Sequence, residues 1–403
     1  MNILFLSIVR FLDINDRGIY TDLMRKFTSE GHNVSVVYPA ERRFNECTEL
    51  KIRDNVSLLR IKTLNIQKTN IIEKGVATIA LESQFLEGIK KYFSNVKFDL
   101  VIYSTPPITF TKVIKYIKKR DSATSYLLLK DIFPQNAVDL GLLKENSLIH
   151  QYFKRKEHKL YECSDFIGCM SPANLDYILK NNPSISADKV EVNPNSIEPN
   201  MSSLHKWEKD AIRMEFGIPD DKIILVYGGN LGKPQGINFL IDVLSANKTN
   251  KDVFFVIVGD GTEFVKLSHT ITTQYIDNAK LLKVLPKRDY DKLISSCDIG
   301  LIFLDPSFTI PNFPSRLLSY LEAKMPVISA TDNNTDIGRI MENNEFGFWA
   351  KSGDLKTFNN ILKSCVGQHE MLKEMGNKGY QFLLDNYQVS NSYKLIIDKF
   401  KNV

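Results

Sequence analysis

The chain has 403 residues, of which 43% are hydrophobic and 25% are charged, and its formal net charge is +5. These values are near the averages of soluble globular proteins, so they exclude a disordered chain and favour two domains of ordinary size. The small net charge argues against a nucleic-acid partner, and no apolar run in the sequence approaches the roughly 18 residues of a membrane span. Five scattered cysteines without a CxxC pair predict reduced thiols in the cytoplasm.

The first half of the chain alternates between apolar runs and helical patterns. Residues 2–8 form the first apolar run, which we interpret as a buried strand because it has neither a basic leader nor a cleavage site. Further strands are predicted at 33–38, 99–103, 125–129 and 165–169, and helices at 21–30, 84–93, 108–119 and 147–163.

The pattern restarts after a polar segment that bears proline and asparagine, at 193–200, so a domain boundary is predicted near 198–205. A strand at 222–227, a helix at 237–245 and a strand at 253–259 follow. The predicted domains are therefore 1–200 and 201–387. The last segment, 388–403, has helical spacing and is a candidate for crossing back to the first domain.

Strands that alternate with helices predict an α/β fold with two doubly wound, Rossmann-like parallel sheets. Two such sheets facing each other would form a cleft at the carboxyl ends of their strands, where ligands of open parallel sheets bind. The fold class alone leaves the function open, so the functional prediction depends on the residues that follow the strands.

A glycine-rich turn at 227–236 follows one of these strands and precedes a helix. Glycines such as Gly229 allow a close backbone approach, and a helix N-terminus offers unpaired N–H groups, a combination suited to a diphosphate. The turn lacks the GxxxxGK[ST] spacing of a Walker A loop. A tight connection without a ligand is the alternative.

A second motif begins at Phe313 and includes Pro314, Ser315, Arg316 and Glu322. Pro314 suits the start of a helix, which puts the Arg316 cation in the first turn, where the helix dipole disfavours it unless an anion is near. This misfit indicates that Arg316 faces a bound phosphate, and a solvated surface arginine is the alternative. Glu322, two turns further on, is a candidate for the ribose hydroxyls or for a residue that faces water.

In the first domain, polar residues follow two predicted strands. Asp131 comes after the strand at 125–129 and is a candidate for binding acceptor hydroxyls, or else a helix N-cap. Thr105 precedes Pro106 and Pro107 just past the strand at 99–103. This rigid loop either lines the cleft or forms a plain structural turn.

Lysines and arginines crowd two helices of the first domain, at 112–120 and 154–159. They predict contact with an anionic membrane surface, and solvated helix faces are the alternative.

The six histidines show no HxxxH or HExxH spacing, so no metal site is predicted. The first strand leads to Asp13 and Gly18 rather than to GxGxxG, which argues against a dinucleotide oxidoreductase.

With these motifs in this order, the chain resembles the family 4 glycosyltransferases, in particular the branch that builds capsular polysaccharide and O-antigen. The resemblance covers nearly the whole chain and is carried by short segments at 104–107, 130–134, 170–172, 194–196, 229–232, 258–261 and 313–328. It implies the GT-B architecture, in which the two Rossmann-like domains face each other across a cleft.

The resemblance implies a sugar nucleotide on the second domain and an acceptor on the first. Donor contacts would come from Gly229, Asn230, Lys233, Gln235, Gly259, Leu285, Pro314, Ser315, Arg316, Ser319 and Glu322. Acceptor contacts would come from Gly18, Thr105 and Asp131. No metal is expected, because cations and N–H groups neutralise the leaving diphosphate in these folds.

One departure from the family pattern concerns carboxylates. Pro311 and Ser319 stand where most members have the two glutamates of an E-x7-E pattern, and Glu322 is the candidate substitute for the ribose contact. The family is generally described as retaining, and without the first glutamate the stereochemical outcome stays open. An inverting enzyme needs a general base near the acceptor hydroxyl, for which Asp131 and Asp13 are the candidates.

A second departure concerns cations. Asn230 and Gln235 stand where the diphosphate loop of the family usually has arginine and lysine. Lys233 and Arg316 are therefore the candidate cations for the leaving diphosphate.

The sequence thus predicts a metal-independent transferase, peripherally bound to the inner face of the cell membrane, that moves a sugar from a UDP-sugar to an undecaprenyl-diphosphate-linked saccharide. Within the branch, the likeness is greatest to the N-acetyl-L-fucosamine transferases, which indicates UDP-N-acetyl-L-fucosamine as the donor. One alternative is a UDP-sugar epimerase, which needs no acceptor. The other is a non-catalytic protein that binds a nucleotide sugar, as the missing glutamates suggest. The oligomeric state stays open.

Overall fold

The computed structural model describes residues 1–66, 69, 71–200 and 204–401. The chain divides into two compact units. Unit 1 comprises Met1–Glu198 and Val389–Val403, and unit 2 comprises Pro199–Gln388. Within the described residues, no helix is long and apolar enough to cross a membrane.

Unit 1 is built on one mainly parallel sheet. Its strands are β1 (Asn2–Leu6), β2 (Asn33–Glu41), β3 (Glu49–Arg53), β4 (Val56–Thr63), β5 (Leu100–Ser104), β6 (Thr124–Leu129), β7 (Phe166–Cys169) and β8 (Val190–Val192). The strand order is β3-β4-β2-β1-β5-β6-β7-β8, with β3 antiparallel to β4 and the other pairs parallel. The helices are α1 (Ile19–Ser29), α2 (Ile71–Tyr92), α3 (Thr111–Asp121), α4 (Gln135–Asp139), α5 (Leu148–Cys163), α6 (Pro172–Asn181) and, from the end of the chain, α15 (Val389–Lys401).

The core of unit 1 explains why its strands are continuous apolar runs. Strands β5 and β6 are buried along their whole length, as expected for parallel strands covered on both faces. Phe5 pairs with Val36 on one side and with Ile102 on the other, and all three belong to one core cluster. The last helix, α15, adds Ile396 to that cluster, so this helix packs in the core of unit 1.

Unit 2 is built on a parallel sheet of its own. Its strands are β9 (Ile223–Asn230), β10 (Val253–Asp260), β11 (Ala279–Leu282), β12 (Ile299–Phe303), β13 (Val327–Thr331) and β14 (Gly347–Lys351), in the order β11-β10-β9-β12-β13-β14. The helices are α7 (Lys206–Glu215), α8 (Ile237–Ala246), α9 (Phe264–Thr273), α10 (Lys287–Ser295), α11 (Arg316–Glu322), α12 (Ile337–Asn343), α13 (Leu355–Cys365) and α14 (His369–Asn386). In both sheets, the loops that leave the carboxyl ends of neighbouring parallel strands share one edge, which brings polar residues distant in sequence together.

Three elements differ from the pattern expected from sequence. The helix predicted at 84–93 is the last part of the longer helix α2, which begins at Ile71. The helix predicted at 108–119 begins at Thr111, because Ile108 and Phe110 are buried core residues of the preceding loop. The hairpin of β3 and β4 was not predicted, because β3 is largely exposed and carries Glu49, Lys51 and Arg53, which leave a weak apolar signal.

Candidate functional site

The glycine-rich turn of unit 2 lies at the carboxyl end of β9 and is packed too tightly for side chains. A Cβ atom at Gly228 would lie 2.0 Å from the hydroxyl oxygen of Tyr290, and one at Gly259 would lie 1.9 Å from the carbonyl oxygen of Gly229. Gly229 itself has a φ of +130°, which side-chain-bearing residues rarely adopt. The turn ends at Gly236, in the left-handed region, where α8 begins. The glycines therefore keep the backbone close to its neighbours around this edge.

Arg316, the first residue of α11, points back to this turn. Its guanidinium carbon lies 4.3 Å from the centre of the Tyr227 ring, and its Nη2 donates to Oε1 of Gln235. The same Nη2 lies 3.3 Å from the position that a Cβ atom at Gly229 would take. Nη1 is buried and has no hydrogen-bond partner among the described residues. The arginine is thus oriented by its neighbours and keeps one buried donor for another acceptor.

Three tyrosines surround the Arg316 guanidinium and define its electrostatics. Burial lowers the pKa of Arg316, but the neighbouring Tyr227, Tyr320 and Tyr290 raise it by more, so the guanidinium stays protonated. The hydroxyl of Tyr320 accepts from the Gly228 N–H at 3.1 Å and donates to the Leu301 carbonyl at 3.1 Å. Burial raises the pKa of Tyr320 to about 12, so this ring stays neutral. The guanidinium is therefore the positive charge at this site, and the tyrosines around it are neutral.

The other predicted donor residues of unit 2 lie near the same edge of the sheet, with one exception. Asn230 ends β9 opposite Asp260, and Lys233 is an exposed residue of the turn that follows. Leu285 is half-buried in the loop that follows the edge strand β11. Pro314 and Ser315 precede α11, and Ser319 lies one turn into that helix. The structure therefore brings most of the predicted donor set to the carboxyl edge of one sheet.

Glu322 is the exception, and the ribose role predicted for it is wrong. Helix α11 runs from the carboxyl end of β12 towards the amino end of β13, so its last residue lies at the opposite edge of the sheet from Arg316. Glu322 is 2% exposed, and its carboxylate accepts from the backbone N–H of Asn200 at 2.8 Å. It lines a cavity of about 440 Å³ together with Asp298 and Pro326, which precede β12 and β13.

In unit 1, the hydroxyl of Thr105 clamps the loop that carries Asp131. Its Oγ1 accepts from the backbone N–H of Lys130 at 3.0 Å and of Asp131 at 3.1 Å, and it donates to the Asp131 carbonyl at 3.0 Å. Thr105 is 1% exposed. The predicted acceptor contact of Thr105 is therefore corrected, because its hydroxyl is used inside the protein to position the loop.

Asp131 lies at the carboxyl end of β6 with its carboxylate held by one side chain. Nδ2 of Asn136 donates to both carboxylate oxygens at 2.8 Å. Burial raises the pKa of Asp131 to about 6, and the hydrogen bond from Asn136 opposes that rise. A carboxyl group with a pKa near 6 is mostly ionised at pH 7 yet has an increased affinity for a proton, which suits a general base.

Asp13 and Gly18 occupy the loop between β1 and α1, near the same edge of the unit 1 sheet. Oδ1 of Asp13 accepts from the backbone N–H of Asn15 at 2.9 Å and from its side-chain amide at 3.1 Å, which makes a local turn. The N–H of Gly18 donates to the buried carboxylate of Asp22 at 3.2 Å. Asp13 is therefore used in loop structure, whereas Asp131 is held by one amide on a loop that Thr105 clamps.

Several residues that surround Arg316 and Asp131 were not predicted from sequence. Tyr290 and Tyr320 approach Gly228 from helices far along the chain, so no local pattern marks them. The sequence gives no role to Lys130, which lies in the segment 130–134, yet burial lowers its pKa to about 7 and its Nζ donates to the Asn193 carbonyl at 3.3 Å. Asn136 carries a local signal, since it lies only five residues beyond Asp131 in the sequence.

Comparison with known proteins shows which proteins the chain is similar to. Residues 208–382, within unit 2, match the family model of the glycosyl transferases group 1. A Pseudomonas aeruginosa protein described as "Probable glycosyltransferase WbjE" is 20% identical over 337 residues, which are 83% of this chain and 82% of that protein. Sucrose-phosphate synthase of Thermosynechococcus elongatus has a TM-score of 0.78 at 13% identity, covering 100% of this chain and 98% of that one. Anabaena Alr3699/HepE, solved in complex with UDP and glucose, has a TM-score of 0.72 at 16% identity, covering 100% of both chains.

These likenesses bear on two predictions. The structural matches across the whole chain confirm the predicted GT-B fold with two Rossmann-like parallel-sheet units. The family match and the relative support the prediction that the chain is a glycosyltransferase. The matched segment contains both the glycine-rich turn and Arg316.

Proposed function

We propose that this chain moves a sugar from a UDP-sugar to an undecaprenyl-diphosphate-linked saccharide in capsular polysaccharide or O-antigen assembly. UDP is the proposed nucleotide because it is the one bound in the Anabaena structure of the same fold. UDP-N-acetyl-L-fucosamine is the proposed donor and the lipid-linked saccharide the proposed acceptor, both from the resemblance of the sequence motifs. The proposed location is the cytoplasmic face of the cell membrane.

The observation that carries the proposal is the position of Arg316. Its guanidinium lies against the Gly229 turn, stays charged, and keeps one buried Nη1 without a partner among the described residues. A leaving UDP develops negative charge on its diphosphate, so a fixed cation at this edge stabilises the transition state more than the bound donor. Because Gln235 accepts from Arg316, the amide orients the guanidinium at the loop position where the family usually has a lysine.

The arginine also accounts for the proposed independence from metal ions. In a transferase of this kind the leaving diphosphate must be neutralised by a metal ion or by fixed positive groups of the protein. Arg316 and the N–H groups at the start of α8, next to Gly236, are fixed positive groups at this edge of the unit 2 sheet. Transfer is therefore expected to continue unchanged in excess EDTA, and loss of activity that Mg²⁺ restores would overturn this part.

Asp131 is the proposed base on the acceptor side. Its carboxylate is held by Asn136 on a loop clamped by Thr105, and its raised pKa favours accepting a proton. In this role Asp131 takes the proton of the acceptor hydroxyl as that oxygen attacks the sugar carbon and the bond to UDP breaks. This chemistry gives inversion at that carbon.

The test is a transfer assay with purified protein and lipid-linked N-acetyl-D-fucosamine. UDP-N-acetyl-L-fucosamine, UDP-N-acetylglucosamine and UDP-glucose are offered separately, mass spectrometry reads the lipid product, and UDP release is followed with and without acceptor. We expect a mass gain with the first donor only, followed by NMR of the new linkage. A gain with another donor replaces the donor assignment. UDP release that does not require any lipid-linked acceptor would overturn the proposed reaction.

A further inference from the structure

Unit 1 exposes an unusual group of large apolar side chains around the start of α5. Leu142, Leu148, Ile149 and Tyr152 are 72%, 85%, 60% and 38% exposed, and we call these four residues the apolar tip. Single exposed apolar residues are ordinary on protein surfaces, but a cluster of this kind marks an interaction surface. The four residues lie within eleven positions of one another in sequence.

The apolar tip is not needed for the packing of α5. The buried face of this helix is made by His150, Glu157, Leu160 and Tyr161, and its N-terminus is capped by the Ser147 hydroxyl, which accepts from the His150 N–H. Leu148 and Tyr152 lie on the other side of the helix, Ile149 lies beside its buried face, and Leu142 precedes the helix. Folding of unit 1 therefore leaves the apolar tip in contact with water, where its exposure is unfavourable.

Basic side chains lie directly behind the apolar tip. Arg155 and Lys159 are exposed and continue the stripe of Leu148 and Tyr152 at the helical spacing of three and four residues. Nζ of Lys156 lies 5.6 Å from the centre of the Tyr152 ring. An apolar end followed by cations is the pattern of a helix that inserts its apolar side chains among acyl chains and places its cations among anionic headgroups.

This surface includes only some of the basic residues predicted from sequence at 112–120 and 154–159, because others form ion pairs within unit 1. In α3, Lys118 donates to Asp165 at 2.6 Å and Arg120 donates to Asp121 at 2.6 Å. Lys154 of α5 pairs with the buried Glu157 at 2.8 Å. These three cations pair with carboxylates of unit 1, whereas Arg155 and Lys159 are exposed next to the apolar tip.

Two ring contacts join the apolar tip to the loop of Asp131. The rings of Tyr152 and Phe153 are 5.3 Å apart, and those of Phe153 and Phe133 are 5.0 Å apart. Phe133 is two residues beyond Asp131 on the same loop. Tyr152 of the apolar tip is therefore connected to the loop of Asp131 through Phe153 and Phe133. A surface that binds the tip also fixes the position of that loop.

We propose that the apolar tip inserts into an anionic lipid bilayer and thereby holds the Asp131 loop at the headgroup level, where the sugar of a lipid-linked acceptor lies. This inference rests on the proposed function for the identity of the acceptor, but the membrane contact itself requires only the surface. A lipid bilayer is favoured over a protein partner because the cations follow the apolar side chains along one helix stripe.

The experiment measures binding of the full chain to vesicles by co-sedimentation, without any substrate. The vesicles contain either phosphatidylcholine alone or phosphatidylcholine with phosphatidylglycerol. We expect binding to the anionic vesicles, and a loss on the order of tenfold or more in the double variant Leu148→Gln/Ile149→Gln, because two apolar side chains no longer enter the acyl region. Arg155→Gln/Lys159→Gln is expected to weaken binding several-fold and to reduce its dependence on salt.

The matched control is Ile52→Gln, which removes a side chain of unit 1 that is 65% exposed on β3 and lies outside the apolar tip. It is expected to bind vesicles as the unchanged protein does. If the unchanged protein does not bind anionic vesicles, or if Leu148→Gln/Ile149→Gln binds equally well, the inference is overturned. The same holds if the double variant loses only self-association in analytical ultracentrifugation, which would make the tip an interface between copies of the chain.

A second readout separates this inference from the proposed reaction. Leu148→Gln/Ile149→Gln is expected to transfer sugar normally to a short-chain, water-soluble acceptor and to lose activity on the vesicle-bound acceptor. If no acceptor of either kind is used, the proposed reaction fails while the vesicle measurement still decides the role of the apolar tip. Equal loss with both acceptors would mean that the tip supports catalysis by folding rather than by membrane contact.

Discussion

Arg316 in unit 2 and Asp131 in unit 1 occupy equivalent places and have opposite electrostatic environments. Each follows a strand of a parallel sheet at its carboxyl edge, and each is oriented by a side-chain amide, Gln235 or Asn136. The rings around Arg316 raise its pKa and keep its charge, whereas burial raises the pKa of Asp131 to about 6 and weakens its charge. Arg316 therefore keeps its charge at neutral pH, whereas Asp131 gains or loses a proton near pH 6.

The largest expected effect on activity is that of replacing Asp131. Asp131→Asn keeps the shape and the contact to Asn136 but removes the group that accepts a proton, so kcat is expected to fall by ~10² to 10⁴-fold. Steady-state transfer kinetics with a saturating donor measure this change. Asp13→Asn is the matched control, because Asp13 mainly stabilises the local turn with Asn15. A larger loss in Asp13→Asn than in Asp131→Asn would exchange the two assignments.

The second largest effect on activity is expected from replacing Arg316. Arg316→Gln removes the cation beside the Gly229 turn and is expected to lower kcat/KM by roughly 10² to 10³-fold. Arg316→Lys should recover part of this loss, because it restores the charge without the planar fork that reaches Gln235. Lys233→Gln, at an exposed position of the same turn, is expected to cost less. If the Lys233 variant loses more activity than Arg316→Gln, the cation at the diphosphate is Lys233.

The pH dependence sharpens the comparison further. A base must be ionised to act, so kcat/KM is expected to rise with pH through a midpoint at about 6, the pKa of Asp131. Asn136→Ala removes a donor that favours the carboxylate, which raises the pKa of Asp131 and moves the midpoint to higher pH. Lys130→Met separates the contribution of the neighbouring amine, whose pKa burial lowers to about 7. A midpoint that stays in place in Asn136→Ala but moves in Lys130→Met would assign the titration to Lys130.

The smallest effect on catalysis is expected at Glu322. This carboxylate lies at the edge of the unit 2 sheet opposite Arg316, so Glu322→Leu is expected to change KM for the UDP-sugar by less than about twofold. The variant leaves the Asn200 N–H without its acceptor, which is expected to lower the free energy of unfolding by ~1 to 3 kcal/mol. Urea titration and donor kinetics measure the two quantities. A tenfold rise in KM with unchanged stability would restore the ribose contact.

Most strands and helices could be predicted from local sequence, because parallel strands and the helices between them produce patterns that span only a few residues. The strand at 125–129 and the helix at 147–163 are found as β6 and as α5 with its Ser147 cap, since an apolar run and an N-cap are local signals. The same holds for the turn of Gly228 and Gly229, whose missing side chains are visible in the sequence itself. The hairpin of β3 and β4 was not predicted, because the charged residues of the exposed strand β3 interrupt the alternation of apolar and polar residues.

By itself, the sequence determined the two α/β units, the glycine-rich turn, Arg316 and Asp131 as candidates, and the glycosyltransferase class. Only the tertiary structure decided what these residues contact. Arg316 and Gln235 are 81 positions apart, and Thr105 reaches Asp131 across 26 positions, so their hydrogen bonds depend on which strands are neighbours in a sheet. Glu322 was assigned to the wrong edge because spacing along a helix specifies a direction around its axis but not which end of the helix a ligand occupies. The burial that raises the pKa of Asp131 likewise comes from the packing of many elements, which no short stretch of sequence contains.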